Sequence, residues 1–329
     1  MKTIESFRDN LFSVNNDNFN DFALELFYFQ AQNNEIYRSY IELLGLNVSS
    51  VKSIDNIPFL PIEFFKHFEV KTGSWEAKIT FESSGTTASE TSKHYVRDPD
   101  LYLRNSERVF KEFYGPIDNY HILALLPSYL ERGNSSLVYM VDHFIKKSGS
   151  AFSGFYLNEF DRLHDQLQKL KHDTRKTILF GVTFGLIDFC QRYSTKMEDL
   201  IVVETGGMKG RRKEMTREEV HAHIKRGFSV EIVHSEYGMT ELLSQAYSKG
   251  DGKFRCPSTM KILTREINDP FTLKNDQKTG AINIIDLANI ETCTFIETRD
   301  LGTINDDGTF EVLGRFDNSE LRGCNLMAI

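Results

Sequence analysis

Residues 177–233 read TILFGVTFGLIDFCQRYSTKMEDLIVVETGGMKGRRKEMTREEVHAHIKRGFSVEIV, and this stretch decides the fold class. Three short apolar runs, Thr177–Phe180, Ile201–Val203 and Val230–Val233, have the length and composition of buried strands. Helical stretches at 184–193 and 216–225 lie between them. Thr216 opens the second with Glu219 three residues on, a pairing in which each side chain satisfies a backbone N–H of the first turn. Strand, helix, strand, helix, strand at these lengths predicts right-handed βαβ units and a parallel sheet.

Upstream, Lys78–Phe81 and Ile122–Leu126 are two further strand-like runs. Residues 1–75 read as a helical section, because Phe22, Leu26 and Phe29, then Tyr37, Ile41 and Leu44, recur at helical spacing. Gly45 is a natural stop, and Pro58 and Pro61 break any continuous helix. This section is expected to pack on a body formed by residues 76–329. Beyond residue 280 the helical pattern fades. Ala281–Leu287, Thr294–Thr298 and Thr309–Leu313 read as strands joined by turns such as Asn305-Asp306-Asp307-Gly308, so an antiparallel β section is expected there. The fold class is α/β, with mixed or parallel sheets flanked by helices.

The 329 residues are 40% hydrophobic and 26% charged, a globular balance that excludes disorder as the main character. Lys and Arg number 39 against 47 Asp and Glu, a net charge of −8 that gives no electrostatic reason to expect a nucleic-acid partner. No stretch approaches the ~18 apolar residues of a membrane span, and the N-terminus MKTIESFRDN lacks the apolar core of an export signal. The reading is a cytoplasmic protein. Cys190, Cys256, Cys293 and Cys324 stand far apart, which excludes a zinc-type pair and speaks against a disulfide framework. His221 and His223 lie two apart on a helix and cannot share a face as metal ligands. His121 and His143 read as partly buried structural residues, and no GxSxG elbow is present.

Three polar, glycine-containing segments fall after strand-like runs, where open α/β sheets bind ligands. Ser83-Ser84-Gly85-Thr86-Thr87 follows the run ending at Phe81. Its four hydroxyls and glycine let backbone N–H groups and side chains surround phosphate oxygens, although the GxxxxGK[ST] spacing is absent. Glu204-Thr205-Gly206-Gly207-Met208-Lys209-Gly210 follows Val203, and its glycines permit close backbone approach to a flat ligand. Ser235-Glu236-Tyr237-Gly238-Met239-Thr240-Glu241 follows Val233 and offers a ring, a hydroxyl and a carboxylate, suited to a base, a phosphate and a divalent metal. Taken singly, each also reads as an ordinary turn, with Glu241 favouring the dipole of a following helix.

In combination the segments resemble the adenylate-forming enzymes: acyl-CoA synthetases, firefly luciferase and peptide-synthetase adenylation domains. Ser83–Thr87 is similar to their phosphate loop and Tyr237-Gly238-Met239-Thr240-Glu241 to their YGxTE motif. Thr298-Arg299-Asp300 corresponds to their TGD segment and Gly314-Arg315-Phe316-Asp317 to their arginine-containing hinge motif. Within the superfamily the closer resemblance is to the acyl-protein synthetases of the LuxE type. It rests on IPFLPIEFFK (57–66), LPSYLERGNSSLVYM (126–140), ETGGMKGR (204–211) and GRFDNSELRGCNL (314–326).

The resemblance implies an adenylate-forming body, ATP and Mg²⁺ as cofactors, and a carboxylic acid, expected to be a long-chain fatty acid, as substrate. The acid would be activated as an acyl-adenylate and passed to a protein thiol, with an acyl-reductase or acyl-carrier protein as partner. The alternatives are an acyl-CoA or acyl-carrier-protein ligase and, in another class, an inactive nucleotide- or acyl-binding module. Ser83, Ser84, Gly85, Thr86 and Thr87 are expected around the phosphates, with Thr240 assisting and Glu241 on Mg²⁺. Tyr237 is expected against adenine beside Gly206, Gly207 and Gly238, and Asp300 and Arg315 on the ribose. Ala88 replaces a usual glycine, and Lys93 and His94 stand in approximately for a usual Pro-Lys. The chain stops at Ile329, where larger relatives continue into a subdomain with a catalytic lysine. Cys324 is the expected acylated cysteine.

Overall fold

The apolar runs of the middle of the chain pair because each is short, continuous and separated from the next by a helix with one apolar face. The computed structural model describes residues 2–83, 91–126, 134–206, 215–274 and 279–316. They fall into two compact units, Met1–Gly73 with Ser258–Ile329, and Ser74–Pro257. The first boundary lies next to the expected division at residue 75. The second runs through what the sequence reading took as one body.

In the unit Ser74–Pro257 the strand order is Phe254–Arg255, Ala246–Ser248, His234–Tyr237, Ile201–Thr205, Lys176–Val182, Tyr120–Leu125, Gly154–Phe155. The last five are parallel and the first two antiparallel additions. Helices Phe160–Leu170, Thr183–Arg192 and Arg217–Phe228 cover one face, where Leu163, Leu186, Phe189, Ile224 and Phe228 join Leu123, Leu179 and Val202 in a continuous core. The other face receives helix Ser136–Ser148, whose Phe144 meets Phe180 of the sheet and Phe110 of helix Pro99–Tyr114. Thr216 and Glu219 form the reciprocal cap read from the sequence. A separate hairpin pairs Ile79–Glu82 with Lys93–Val96, so the hydroxyl-rich segment occupies the connection between its strands.

One strand was misplaced. The run Val230–Val233 is a connection, and the strand that follows helix Arg217–Phe228 is the polar His234–Tyr237. Ser229 ends that helix in the left-handed region, and Val230 and Val233 then anchor the loop in the core while Ile232 points outward. Nor does a helix follow Glu241. A turn leads into the antiparallel strand Ala246–Ser248, so the helix-dipole alternative for Glu241 falls away.

In the other unit, helices Ile4–Leu11, Phe19–Asn33 and Glu35–Leu43 pack with an antiparallel meander of Met260–Arg265, Gly280–Asp286, Phe295–Ile304 and Phe310–Arg315. Phe295 is the junction, meeting Phe27 edge-on and Tyr37 stacked. Gln30, fully buried, donates to the carbonyls of Asn289 and Ile290 and accepts from the Thr294 N–H. The expected Asn305–Gly308 turn closes with Gly308 N–H donating to the Asn305 carbonyl.

Candidate functional site

The parallel order places two of the three polar segments at carboxyl ends of neighbouring strands. Thr205 and Gly206 end Ile201–Thr205, and Tyr237 ends His234–Tyr237, with Thr205 opposite Glu236 in register. Gly206 sits at φ 73°, a conformation that side-chain-bearing residues resist, so the chain can turn sharply off the strand. The Thr183 hydroxyl, at the start of helix Thr183–Arg192, lies within hydrogen-bonding reach of both the Glu204 carboxylate and the Gly206 carbonyl. Burial raises the Glu204 carboxyl above its usual range, against the opposing hydrogen bond from Thr183. Gly207 lies outside the described residues.

The Tyr237–Glu241 segment is fastened from two sides. Buried His94, on the hairpin strand opposite Phe81, donates from Nδ1 to the Thr240 carbonyl at 2.8 Å. Asn105 of helix Pro99–Tyr114 donates from Nδ2 to the Leu243 carbonyl at 2.9 Å and to Ser244 Oγ at 3.0 Å. The Leu242 N–H donates back to the Met239 carbonyl, closing the turn. Tyr237 is buried and packs against Phe254, while Thr240 is half-buried. Glu241 is 5% exposed, an unusual setting for a carboxylate outside a site that uses its charge.

Of the hydroxyl-rich segment, Ser83 is described. It exchanges two bonds with Ser92, its N–H to the Ser92 carbonyl and its Oγ accepting the Ser92 N–H, which pins the base of the connection. Ser84, Gly85, Thr86 and Thr87 lie outside the described residues, as does Cys324. Lys93 is exposed and stands opposite Glu82. In the other unit, Asp300 and Arg315 are register partners on adjacent strands, with Arg315 Nε 3.4 Å from Asp300 Oδ1. The Thr298 hydroxyl accepts the Asp300 N–H and donates to the Ile282 carbonyl, which fixes the buried Asp300 backbone.

Burial lowers the His94 pKa to about 4, outweighing the Thr240 hydrogen bond that raises it. The ring is therefore neutral at neutral pH and acts on the loop through one N–H. Because the folded-state value lies below the ordinary 6.5, the unfolded chain binds the extra proton between about 4 and 6.5. The stability His94 supplies is complete above that window and is lost as pH falls through it. Buried Glu236, raised to about 7, works in the opposite sense, so the readout is a comparison with a variant. His94→Gln, whose amide can donate to the same carbonyl, is expected to show a smaller drop in thermal midpoint between about pH 7 and about pH 5 than the unsubstituted protein. An equal drop would contradict a buried neutral ring.

Sequence reasoning missed Thr183, Asn105 and Glu236 as parts of this region. The available signal was polarity inside otherwise buried segments: a Thr opening an apolar helix, an Asn on the buried face of an amphipathic one, and a Glu in a strand.

The architecture is that of the amino-terminal bodies of adenylate-forming enzymes. ATP-bound MatB from Rhodopseudomonas palustris is similar with a TM-score of 0.54 and 16% identity, over 72% of this chain and 47% of that one. A 2-hydroxyisobutyryl-CoA ligase, in complex with 2-HIB-AMP and CoA, gives 0.66 and 13% over 97% and 70%. MenE from Bacillus subtilis, an O-succinylbenzoate coenzyme A synthetase in complex with ATP and magnesium, gives 0.53 and 15% over 72% and 49%. The chain thus spans about half the length of MatB and MenE. Comparison with curated proteins gives no match. The family model of the acyl-protein synthetases, LuxE, matches residues 11–328. The chain belongs to that family.

Proposed function

We propose that this protein activates a carboxylic acid with ATP and passes the acyl group to a protein thiol in the cytoplasm, the long-chain fatty acid being the first acid to test. In the first step a carboxylate oxygen bonds to the α-phosphorus while the bond to pyrophosphate breaks. In the second a thiolate sulfur bonds to the acyl carbon while AMP leaves. Two anions must meet in the first step, so oriented donors and positive charge are what a catalyst has to provide.

The observation that carries this reading is the anchoring of the Tyr237–Glu241 segment, the family's most recognisable motif, around a carboxylate removed from water. Among the described residues no group of three His, Cys, Asp or Glu could hold a metal unaided. A single buried carboxylate nonetheless suits Mg²⁺, which is commonly held by one or two carboxylates together with substrate phosphates. When bound, the ion would neutralise phosphate charge. Ser83–Thr87 and Thr240 are assigned to the phosphates, Glu241 to Mg²⁺, and Tyr237, Gly238, Gly206 and Gly207 to adenine. Asp300 and Arg315 are assigned to the ribose, and Lys93 and His94 remain the residues assigned to the position of the family's Pro-Lys. Among the described residues no helix is long and apolar enough to cross a membrane.

The test is carboxylate-dependent exchange of labelled pyrophosphate into ATP, followed by transfer to added thiol acceptors. Exchange with an acid, then hydroxylamine-sensitive label on protein, is the expected result. Label leaving with coenzyme A or a free carrier protein would redirect the second step. No exchange with any acid would favour a binding module without activity.

A further inference from the structure

Behind the Tyr237–Glu241 segment lies a cluster of buried polar groups that the proposed chemistry leaves unused. Glu236 occupies the strand position just before Tyr237. It accepts from the Thr205 hydroxyl at 2.5 Å, and its other oxygen lies so close to Gly238 that any Cβ there would collide with it. Tyr247 faces Glu236 across the antiparallel pair and packs its ring on Phe113 and Tyr114. The Tyr247 hydroxyl is buried and has no hydrogen-bond partner among the described residues. The same holds for Gln245 Oε1, whose side chain also borders Gly238, and for Asn105 Oδ1, whose amide nitrogen is committed to Leu243 and Ser244.

Each such orphaned buried atom costs about 1–3 kcal/mol, so a native structure rarely holds several without a reason. The set is also biased in kind. Two amide oxygens and a carboxyl accept hydrogen bonds, and one phenol can do either. Burial pushes the Glu236 carboxyl up to about 7, and Glu204 adds to the effect. The cluster therefore lacks donors. It stands at the carboxyl end of a parallel strand, directly behind the anchored turn, where open α/β sheets receive their ligands.

We infer that this cluster is the subsite for the carbon skeleton of the activated acid, and that the acid carries a hydrogen-bond-donating substituent, a hydroxyl or an ammonium group. The inference rests on the acyl-activating reading above and narrows it. A plain saturated fatty acid would leave the same acceptors dry, whereas a donor-bearing acid satisfies them, and sites built to bond a substrate hydroxyl or amine discriminate strongly against the analogue without it.

The experiment is pyrophosphate exchange over short, medium and long alkanoates with their hydroxy and amino derivatives of matched chain length. At least one donor-bearing acid is expected to exceed its unsubstituted counterpart by about tenfold or more in kcat/KM. Tyr247→Phe, which keeps the ring on Phe113 and Tyr114, is expected to bring that ratio toward unity. Glu236→Gln, which removes the charge at nearly constant shape, distinguishes the two donors: it depresses an ammonium preference more than a hydroxyl preference. The inference is overturned if unsubstituted acids match or exceed all their derivatives, or if the ratio survives both variants. Exchange confined to unsubstituted acids sinks the inference alone. Silence across the whole panel sinks the acyl-activating reading and the inference with it.

Discussion

A Glu241→Gln variant is expected to fold normally and to lose acyl-adenylate formation by on the order of 10²-fold or more. The size follows from where the carboxylate sits. At 5% exposure it is screened little by water, and its loop is tied by His94 to the hairpin and by Asn105 to helix Pro99–Tyr114. A preorganised charge in such a place acts on the transition state without reorganisation, which is the setting where deleting one electrostatic partner has cost two to three orders of magnitude in other enzymes. Gln keeps the shape and removes the charge. The expected signature is an unchanged circular dichroism spectrum and thermal midpoint, a fall in pyrophosphate exchange, and a rise in the Mg²⁺ concentration needed for half-maximal rate. Near-normal turnover with unchanged Mg²⁺ dependence would reject the role.

The parallel half of the fold was legible because its signals are local. Short apolar runs alternate with amphipathic helices, and Thr216 with Glu219 marks a helix start that the structure reproduces. The strand His234–Tyr237 was not legible, since its inward polar groups are satisfied by residues far away in sequence. His234 meets Tyr114, and Glu236 meets Thr205. The neighbouring apolar run looked more like a strand because hydrophobicity alone does not distinguish a buried loop from a buried strand. The grouping of the first helices with the last strands was equally hidden. Gln30 is bonded to Asn289 and Thr294, and Phe27 and Tyr37 meet Phe295, contacts that leave no periodic trace in either segment. The site divides the same way. Tyr237–Glu241 announces itself as a motif, whereas Asn105 and Tyr247 matter through what surrounds them.

Cys324→Ser is expected to leave adenylation intact and to abolish the hydroxylamine-sensitive acyl-protein bond. An acyl-adenylate is a reactive mixed anhydride that water destroys unless a nucleophile captures it, and a thiolate is the best neutral-pH nucleophile a side chain offers. The candidates are four. Burial pushes the thiols of Cys190 and Cys293 up to about 12, so at neutral pH almost none of either is thiolate. Cys190 is also packed against Gly227, and Cys293 is fully enclosed, so neither can reach an adenylate without local unfolding. Cys256 is half-buried and is the comparison that matters. Cys324 lies outside the described residues, and its case is made by sequence: Arg322 two residues before it can lower a thiol pKa, Gly323 gives backbone freedom, and the family resemblance implies an acylated cysteine in this region. Incubating the single variants Cys324→Ser and Cys256→Ser with ATP, Mg²⁺ and a labelled acid separates the two. Loss of thioester label in Cys324→Ser alone, with pyrophosphate exchange preserved, is the predicted outcome. Label retained on Cys324→Ser but lost from Cys256→Ser would move the acyl carrier to Cys256, and label retained on both would remove the thioester from this chain.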